Sequence, residues 1–282
     1  MLNSPVEHII IQKISNGTIT ETGDRVAVEE PLEIQLAYSS STGRMQKSIA
    51  VTMRTPGNDE ELAAGFLFTE GIIKNAATIQ EIKRSQTDEN RILVTLKENS
   101  IPVLSNASRN FYSTSSCGIC GKASIDAIRT ISQYGDEKDS IIINASVLYS
   151  LQDQLKKQQV LFEDTGGIHA SALFDIDGNF IMLREDVGRH NALDKIIGAA
   201  LMKEQLPLNN CILLLSGRAS FELVQKAAMA GIKIIAAVGA PSSLAVQLAE
   251  EAGITLIGFL RNNRFNIYSG KQRVKTSPQP SP

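Results

Sequence analysis

CILLLSGRASFELVQKAAMAGIKIIAAVGAPSSLAVQLAEEAGITLIGFL, residues 211–260, decides the fold. CILLLS is a short uninterrupted apolar run, IKIIAAV a second and ITLIGFL a third. Between them, ASFELVQKAAMAG and SSLAVQLAEEAG have helical character. The first ends at Gly231; the second opens on Ser242 or Ser243 and ends at Gly253. Strands that are apolar throughout need cover on both faces, and helical crossovers supply it, so this stretch predicts a parallel β-α-β-α-β unit.

In an open parallel sheet, ligands bind beyond the carboxyl ends of the strands. Here those ends run into Ser216-Gly217-Arg218, Gly239-Ala240-Pro241-Ser242-Ser243 and Arg261-Asn262-Asn263-Arg264. Two of these loops open helices, whose free N–H groups favour anions. Arg218, Arg261 and Arg264 can add charge-assisted bonds to phosphate. Three such loops on one sheet edge suit a phosphate or nucleotide crevice, although ordinary βα turns also favour Gly, Ser and Asn.

Upstream, NALDKIIGAALMKE has helical spacing, and TGGIHASALFDIDGNFIMLRED reads as a β-hairpin turning at Asp177-Gly178. Between them Arg184-Glu185-Asp186-Val187-Gly188-Arg189-His190-Asn191 is dense with ionisable groups around a glycine. That fits a binding or acid–base loop, or else a capped helix start with salt bridges. His169, after two glycines, can be base, ligand or cap. SVLYSLQDQLKKQQVLF is expected as one helix. The first hundred residues are β-rich, with EHIIIQKIS, DRVAVEEPLEIQLAYS, QKSIAVTMRT and NRILVTLKE as strands. PGNDEELAAGFLFTEGII interrupts them as a helix capped by Asn58 or Asp59.

The loop Ser-Ser-Cys-Gly-Ile-Cys-Gly-Lys, residues 115–122, holds two of only three cysteines. Cys117 and Cys120 precede a helical pattern and Lys122. A helix N-terminus and a nearby cation lower a thiol pKa and favour the nucleophilic thiolate. Zinc would want four ligands, and only one pair is present, so no metal is assigned. Dithiol redox chemistry and persulfide relay both fit the residues. Cys211 opens an apolar strand and is expected to pack as a small hydrophobe.

Composition excludes several classes. The 282 residues carry a formal net charge of -2, giving no global attraction to nucleic acid or anionic membrane. No apolar run approaches the roughly 20 residues of a membrane span. The start, MLNSPVEHIIIQKIS, lacks the order of a signal peptide. Three cysteines make no disulfide scaffold, so a cytoplasmic setting is expected.

The wording of several stretches resembles a known family. RTPGNDEELAAGFLFTEGII, SSCGICGK, TGGIHASALFD, REDVGRHNALDKIIG, LLSGRASFELVQKAAMAGI, AAVGAPSSLAVQLAEEAGITLIGFLR and RFNIYS are similar to the formate dehydrogenase accessory sulfurtransferases, the FdhD family. The resemblance implies sulfur transfer from a cysteine desulfurase to the molybdenum bis(molybdopterin guanine dinucleotide) cofactor, before that cofactor enters formate dehydrogenase. It implies Cys117 as persulfide carrier with Cys120 as its partner. It places cofactor binding at Phe259, Leu260, Arg261, Asn262, Asn263 and Arg264, beside Ser216, Gly217, Arg218 and His190 of the strand-end crevice, with GDP as a mimic. It implies an α/β, cytidine-deaminase-like three-layer domain with parallel C-terminal strands, a smaller β-rich N-terminal domain, and a homodimer. The expected divisions are residues 1–110 (β-rich), 111–270 (Cys loop and crevice) and 271–282 (disordered tail).

Overall fold

Alternating β-branched residues shape the N-terminal half. The computed structural model describes residues 4–41, 43–104, 132–134 and 140–276. The Cys117–Cys120 loop, the helical pattern behind it and the expected boundary at 110/111 lie outside the described residues. β1 (Val6–Ser15) and β2 (Thr18–Ala27) pair as an antiparallel ribbon. Asn16 and Gly17 turn it at φ 51° and 79°, the positive values a two-residue hairpin turn requires. β3 (Glu30–Ser40), β4 (Gly43–Arg54), β5 (Ile79–Arg84) and β6 (Arg91–Leu96) form a sheet in the order β4-β3-β6-β5. Its buried face carries Leu32, Ile34, Leu36, Ile92 and Val94.

α1 (Asp59–Thr69) packs in the same apolar cluster as that face. The expected cap is absent. Asn58 lies at φ 56° and neither Asn58 nor Asp59 caps through its side chain. Arg54 takes the Asp59 carboxylate instead, donating from Nε at 3.1 Å and Nη2 at 3.2 Å. A buried guanidinium needs a counter-charge more than a helix end needs one more acceptor.

β7 (Ile143–Asn144) leads into α2 (Ala145–Gln158), and α3 (Val160–Thr165) follows. The single helix expected here is thus broken at Gln159, whose ψ of 72° is non-helical. β8 (His169–Asp175) and β9 (Phe180–Asp186) are the predicted hairpin. The Asp175 carboxylate accepts from the backbone of Asp177 and Asn179, and Gly178 supplies φ 85°. α4 (Arg189–Met202), β10 (Cys211–Leu215), α5 (Phe221–Met229), β11 (Ile234–Ala237), α6 (Ser243–Glu251) and β12 (Thr255–Arg261) complete the predicted run. β10, β11 and β12 are parallel, as expected. The six-stranded sheet has the order β13-β12-β11-β10-β8-β9, with β13 (Arg264–Ser269), β8 and β9 all entering antiparallel to their neighbours.

Strand alternation divides this sheet between two apolar clusters. Leu213, Leu215, Ile235 and Leu256 join the cluster of α1, α4, α5 and the four-stranded sheet. Ile212, Leu214, Ile234 and Ile257 join Leu148, Leu151 and Leu155 of α2. The two larger sheets therefore share one core through α1 and α4. Those helices touch backbone to backbone: a Cβ on Gly65 would overlap the Asp194 carbonyl oxygen, and one on Gly198 that of Glu61. Beside the crossing, Lys226 of α5 donates to Asp194 at 2.9 Å and Thr69 at 2.8 Å, tying three helices through one buried charge.

Residues 271–275 correct the start of the expected tail, whose residues 277–282 lie outside the described ones. Lys271–Arg273 make a helical turn, and β14 (Val274–Lys275) pairs in parallel with β7.

Candidate functional site

The carboxyl ends of β10, β11 and β12 meet as predicted, and the backbone explains how. Gly239 N–H donates to Gly217 O at 2.8 Å, Ala219 N–H to Ala240 O at 3.2 Å and Ser242 N–H to Ala219 O at 3.0 Å. Phe259 N–H closes the row on Gly239 O at 3.0 Å. Gly239 is needed here because a Cβ would sit 3.0 Å from the Arg218 backbone. α6 begins at this edge, with Ser242 Oγ accepting from Ala245 N–H at 3.3 Å, one of the two predicted caps. α5 begins there too, after Ser220.

The residues expected to bind ligand divide by what already holds them. Ser216 is bound into the sheet: its N–H donates to Ala170 O and its Oγ accepts from Ala170 N–H at 2.8 Å. Arg261 donates through Nη1 to the carbonyls of Val238 (2.8 Å) and Leu260 (2.6 Å), so one arm of its guanidinium braces the loop. Arg218 and Arg264 are exposed. Leu260 is fully buried and belongs to the core. Phe259 lies at φ 52° in a bulge of β12 and leaves its ring 44% exposed at the crevice edge. Asn262 and Asn263 form a hairpin turn rather than a helix entry, and Asn262 donates to Asp153 of α2 at 2.8 Å.

A cavity of about 370 Å³ opens at these strand ends, within the range of small-molecule sites. Ser216, Gly217 and Val238 form one wall, His169 and Gly167 another, and Gln159 and Phe162 a third. The α2–α3 break at Gln159 thus shapes the cavity, and no local signal in the sequence marked it. Glu185 fixes α3 by accepting from the N–H groups of Leu161 and Phe162, both at 2.9 Å. Burial pushes the Glu185 carboxyl above its usual range despite those bonds.

The 184–191 segment is held from the N-terminal sheet. Thr55 N–H donates to Asp186 Oδ2, Val187 N–H donates to Thr55 Oγ1, and Lys195 donates to Thr55 O at 2.9 Å. Lys195 and Asp186 form a buried ion pair at 2.7 Å. Asp186 also accepts from Gly188 N–H and from Asn191, whose amide reaches Met53 O as well. Burial still pushes the Asp186 carboxyl up, with Lys195 opposing. This clamp puts Arg189 and His190 at the N-terminal turn of α4. His190 Nε2 lies 3.5 Å from both Ser220 Oγ and Glu222 Oε2 of α5. Arg189 Nε is buried without a hydrogen-bond acceptor among the described residues. Burial lowers the His169 pKa, and the nearby Arg189 and His190 lower it further, against Asp186. His169 is therefore a neutral imidazole at neutral pH.

The structure thus brings together Ser216, Gly217, Arg218, Phe259, Arg261 and the two histidines around converging helix starts. It adds Thr55, Lys195, Glu222 and Gln159, which sequence reasoning did not assign. The RTPG stretch was legible as a motif but carried no visible chemistry of its own. Cys211 is free, half-buried, and has its thiol pKa raised by burial, then by Asp175, which fits packing rather than reactivity. No described helix is long and apolar enough to cross a membrane.

Comparison with known proteins bears on the whole chain. The FdhD/NarQ family profile matches residues 27–275. A "Sulfur carrier protein FdhD" from Mycolicibacterium paratuberculosis is 46% identical over 94% of this chain and 97% of its own. Its counterpart from Streptomyces avermitilis is 47% identical over 93% of each. The crystal structure of a formate dehydrogenase accessory protein from Desulfotalea psychrophila superposes with a TM-score of 0.74 at 26% identity, covering 96% of this chain and all of that one.

Proposed function

The chain belongs to the FdhD/NarQ family, and from that premise we propose that it is a sulfurtransferase in formate dehydrogenase maturation. It takes sulfur from a cysteine desulfurase and hands it to the molybdenum bis(molybdopterin guanine dinucleotide) cofactor, the bound substrate, before insertion. The relatives' name, sulfur carrier, and the accessory-protein neighbour support the role. The observation that carries the binding half is the cavity of about 370 Å³ at the ends of β10 and β11, lined by Ser216, Gly217, Val238 and His169; α5 and α6 begin along the same sheet edge, where Arg218 is exposed. The Cys-x-x-Cys sequence carries the covalent half. Cytoplasmic location and a homodimer belong to the same proposal.

The chemistry balances as a persulfide relay. The Cys117 thiolate attacks the terminal sulfur of the donor persulfide, the donor thiolate leaves, and Cys117 becomes the persulfide. The Cys120 thiolate then attacks the Cys117 Sγ. A Cys117–Cys120 disulfide forms, and the outer sulfur departs as hydrosulfide to become the metal ligand. A cellular thiol reductant resets the pair. Around the acceptor, Arg218 and Arg264 meet pyrophosphate, and Phe259 offers an exposed ring face. GDP is the mimic for testing the crevice: crystals soaked with it are expected to show density at the strand-end loops.

A second reading is a binding chaperone without covalent transfer, for which the crevice alone would suffice. It predicts that a Cys117→Ala, Cys120→Ala variant still supports active formate dehydrogenase in cells. The relay predicts loss of that activity with GDP binding retained.

A further inference from the structure

The cavity at the ends of β10 and β11 is lined by side chains whose polar groups the protein leaves unused. Gln159 is the clearest case. It is 6% exposed, and its backbone is taken up by the helix break: its N–H donates to Leu155 O at 3.1 Å, and its carbonyl accepts from Glu163 N–H at 3.0 Å. Its side-chain amide has no hydrogen-bond partner among the described residues. The amide atoms are nevertheless not sealed from solvent, so they open on the cavity that Gln159 lines. A side chain more than nine-tenths buried, with a free amide, is satisfied only by what enters that space. Gln152 and His169 line the same cavity, and neither side chain has a hydrogen-bond partner among the described residues. The rest of the wall is largely apolar, from Leu155, Ile168 and Val238, with the Phe162 ring 46% exposed. Lys156, itself exposed, is the one charged residue in this lining among the described residues.

Apolar walls with a few neutral polar groups suit a flat, uncharged ring. A glutamine amide donates and accepts side by side, so it pairs with a ring edge that does the same. We propose that the cavity is the ring subsite of the crevice, and that Gln159 reads the amino-oxo-pyrimidine edge that guanine and pterins share. That edge presents a carbonyl, a ring N–H and an amine in a row. Gln159, Gln152 and His169 offer neutral donors and acceptors to match it. The exposed Phe162 ring offers a face for stacking, which any flat ring accepts. Ser216 and Gly217 line the cavity and run directly into Arg218 and the start of α5. A nucleotide seated by its ring therefore carries its phosphates outward to that helix start. The inference rests on the crevice being the cofactor site, and it adds which part of the cofactor enters the cavity.

The test is calorimetry of the full chain with GDP, inosine diphosphate and inorganic pyrophosphate. Inosine diphosphate lacks only the exocyclic amine of GDP. Wild type is expected to bind GDP about tenfold more tightly than inosine diphosphate, the difference one hydrogen bond makes. Gln159→Met keeps the volume, removes the amide and abolishes that preference. Phe162→Ala, at an exposed ring, weakens both nucleotides about tenfold, with pyrophosphate as the control for fold and phosphate contacts. The chain has no tryptophan, so Phe162→Trp adds a single fluorophore that GDP is expected to quench. Guanosine and neopterin carry no phosphate; tighter binding of one, lost in Gln159→Met, names the source of the ring. Equal affinity for GDP and inosine diphosphate in wild type with neopterin unbound, or a preference that survives in Gln159→Met, overturns the ring subsite. If pyrophosphate binds and no ring adds affinity, this inference alone falls. If pyrophosphate also fails to bind, the crevice reading falls and takes the inference with it.

Discussion

Replacing Lys195 by methionine isolates the clamp that joins the N-terminal sheet to the crevice. Lys195 and Asp186 are 1% and 0% exposed, and their charges meet at 2.7 Å. Methionine fills the same channel without charge. Asp186 then keeps its N–H donors from Thr55, Gly188 and Asn191 but loses its counter-ion. Breaking a buried pair costs about 3–5 kcal/mol, and the remaining donors place this case near the lower end, at about 3 kcal/mol. The Thr55 carbonyl also loses a donor at 2.9 Å, adding about 1 kcal/mol. The expected total is about 4 kcal/mol in urea unfolding followed by circular dichroism.

The sign with pH is fixed. Burial already raises the Asp186 pKa above its unfolded value, and losing Lys195 raises it more. An acid with a raised folded pKa loses stability as pH rises through the window between the two values. Wild type shares that loss up to its own folded pKa, so the deficit against wild type changes between the wild-type and the higher variant folded pKa, shrinking toward low pH by up to about 1.4 kcal/mol per unit there. Adding Asp186→Asn to the variant removes the stranded charge and recovers about half the loss. A single-variant loss under about 1 kcal/mol, or a deficit that does not change with pH, refutes the clamp.

Gly198→Ala places a methyl into the Glu61 carbonyl, where neither helix backbone can yield, so a loss of about 3 kcal/mol or more is expected in thermal unfolding. An unshifted midpoint contradicts the close α1–α4 crossing. GDP or inorganic phosphate is expected to raise the pKa of His169 in NMR titration, because a nearby anion favours the imidazolium against the burial and the Arg189 charge that depress it. No change places the anion elsewhere. Burial pushes the Glu60 carboxyl up, but bonds from Arg84 and its own backbone N–H prevail and leave it below its ordinary value. Its stabilising effect is thus lost as pH falls through the lowered value, and Glu60→Gln flattens that part of the thermal stability profile.

The β-α-β-α-β run was legible because each boundary carries its own local chemistry: Ser242 as cap, Gly231 and Gly253 at positive φ after their helices. The Asp177-Gly178 turn was legible for the same reason. What the hairpin pairs with was not, since alternation identifies a strand and says nothing of its neighbour. Hence β8, β9 and β13 entering antiparallel beside the parallel strands is a tertiary outcome. Asn58 and Asp59 misled because a cap is a local preference, and the buried Arg54 claimed the carboxylate. Arg261 was legible as a strand-end residue, but its bracing of Val238 depends on a neighbouring strand no local pattern encodes. Glu222 sits on an ordinary amphipathic helix and Lys195 on one buried nearly all round. Only the packing of α4 against α5 and β9 reveals them.

The persulfide on Cys117 is the central claim. Intact-protein and peptide mass spectrometry after incubation with a cysteine desulfurase and cysteine tests it most directly. The expected result is a gain of one sulfur atom, reversed by a thiol reductant, mapped to the peptide holding Cys117, and absent in Cys117→Ala. Sulfur that stays on the protein in the Cys117→Ala, Cys120→Ala variant, or no gain at all in wild type, contradicts it.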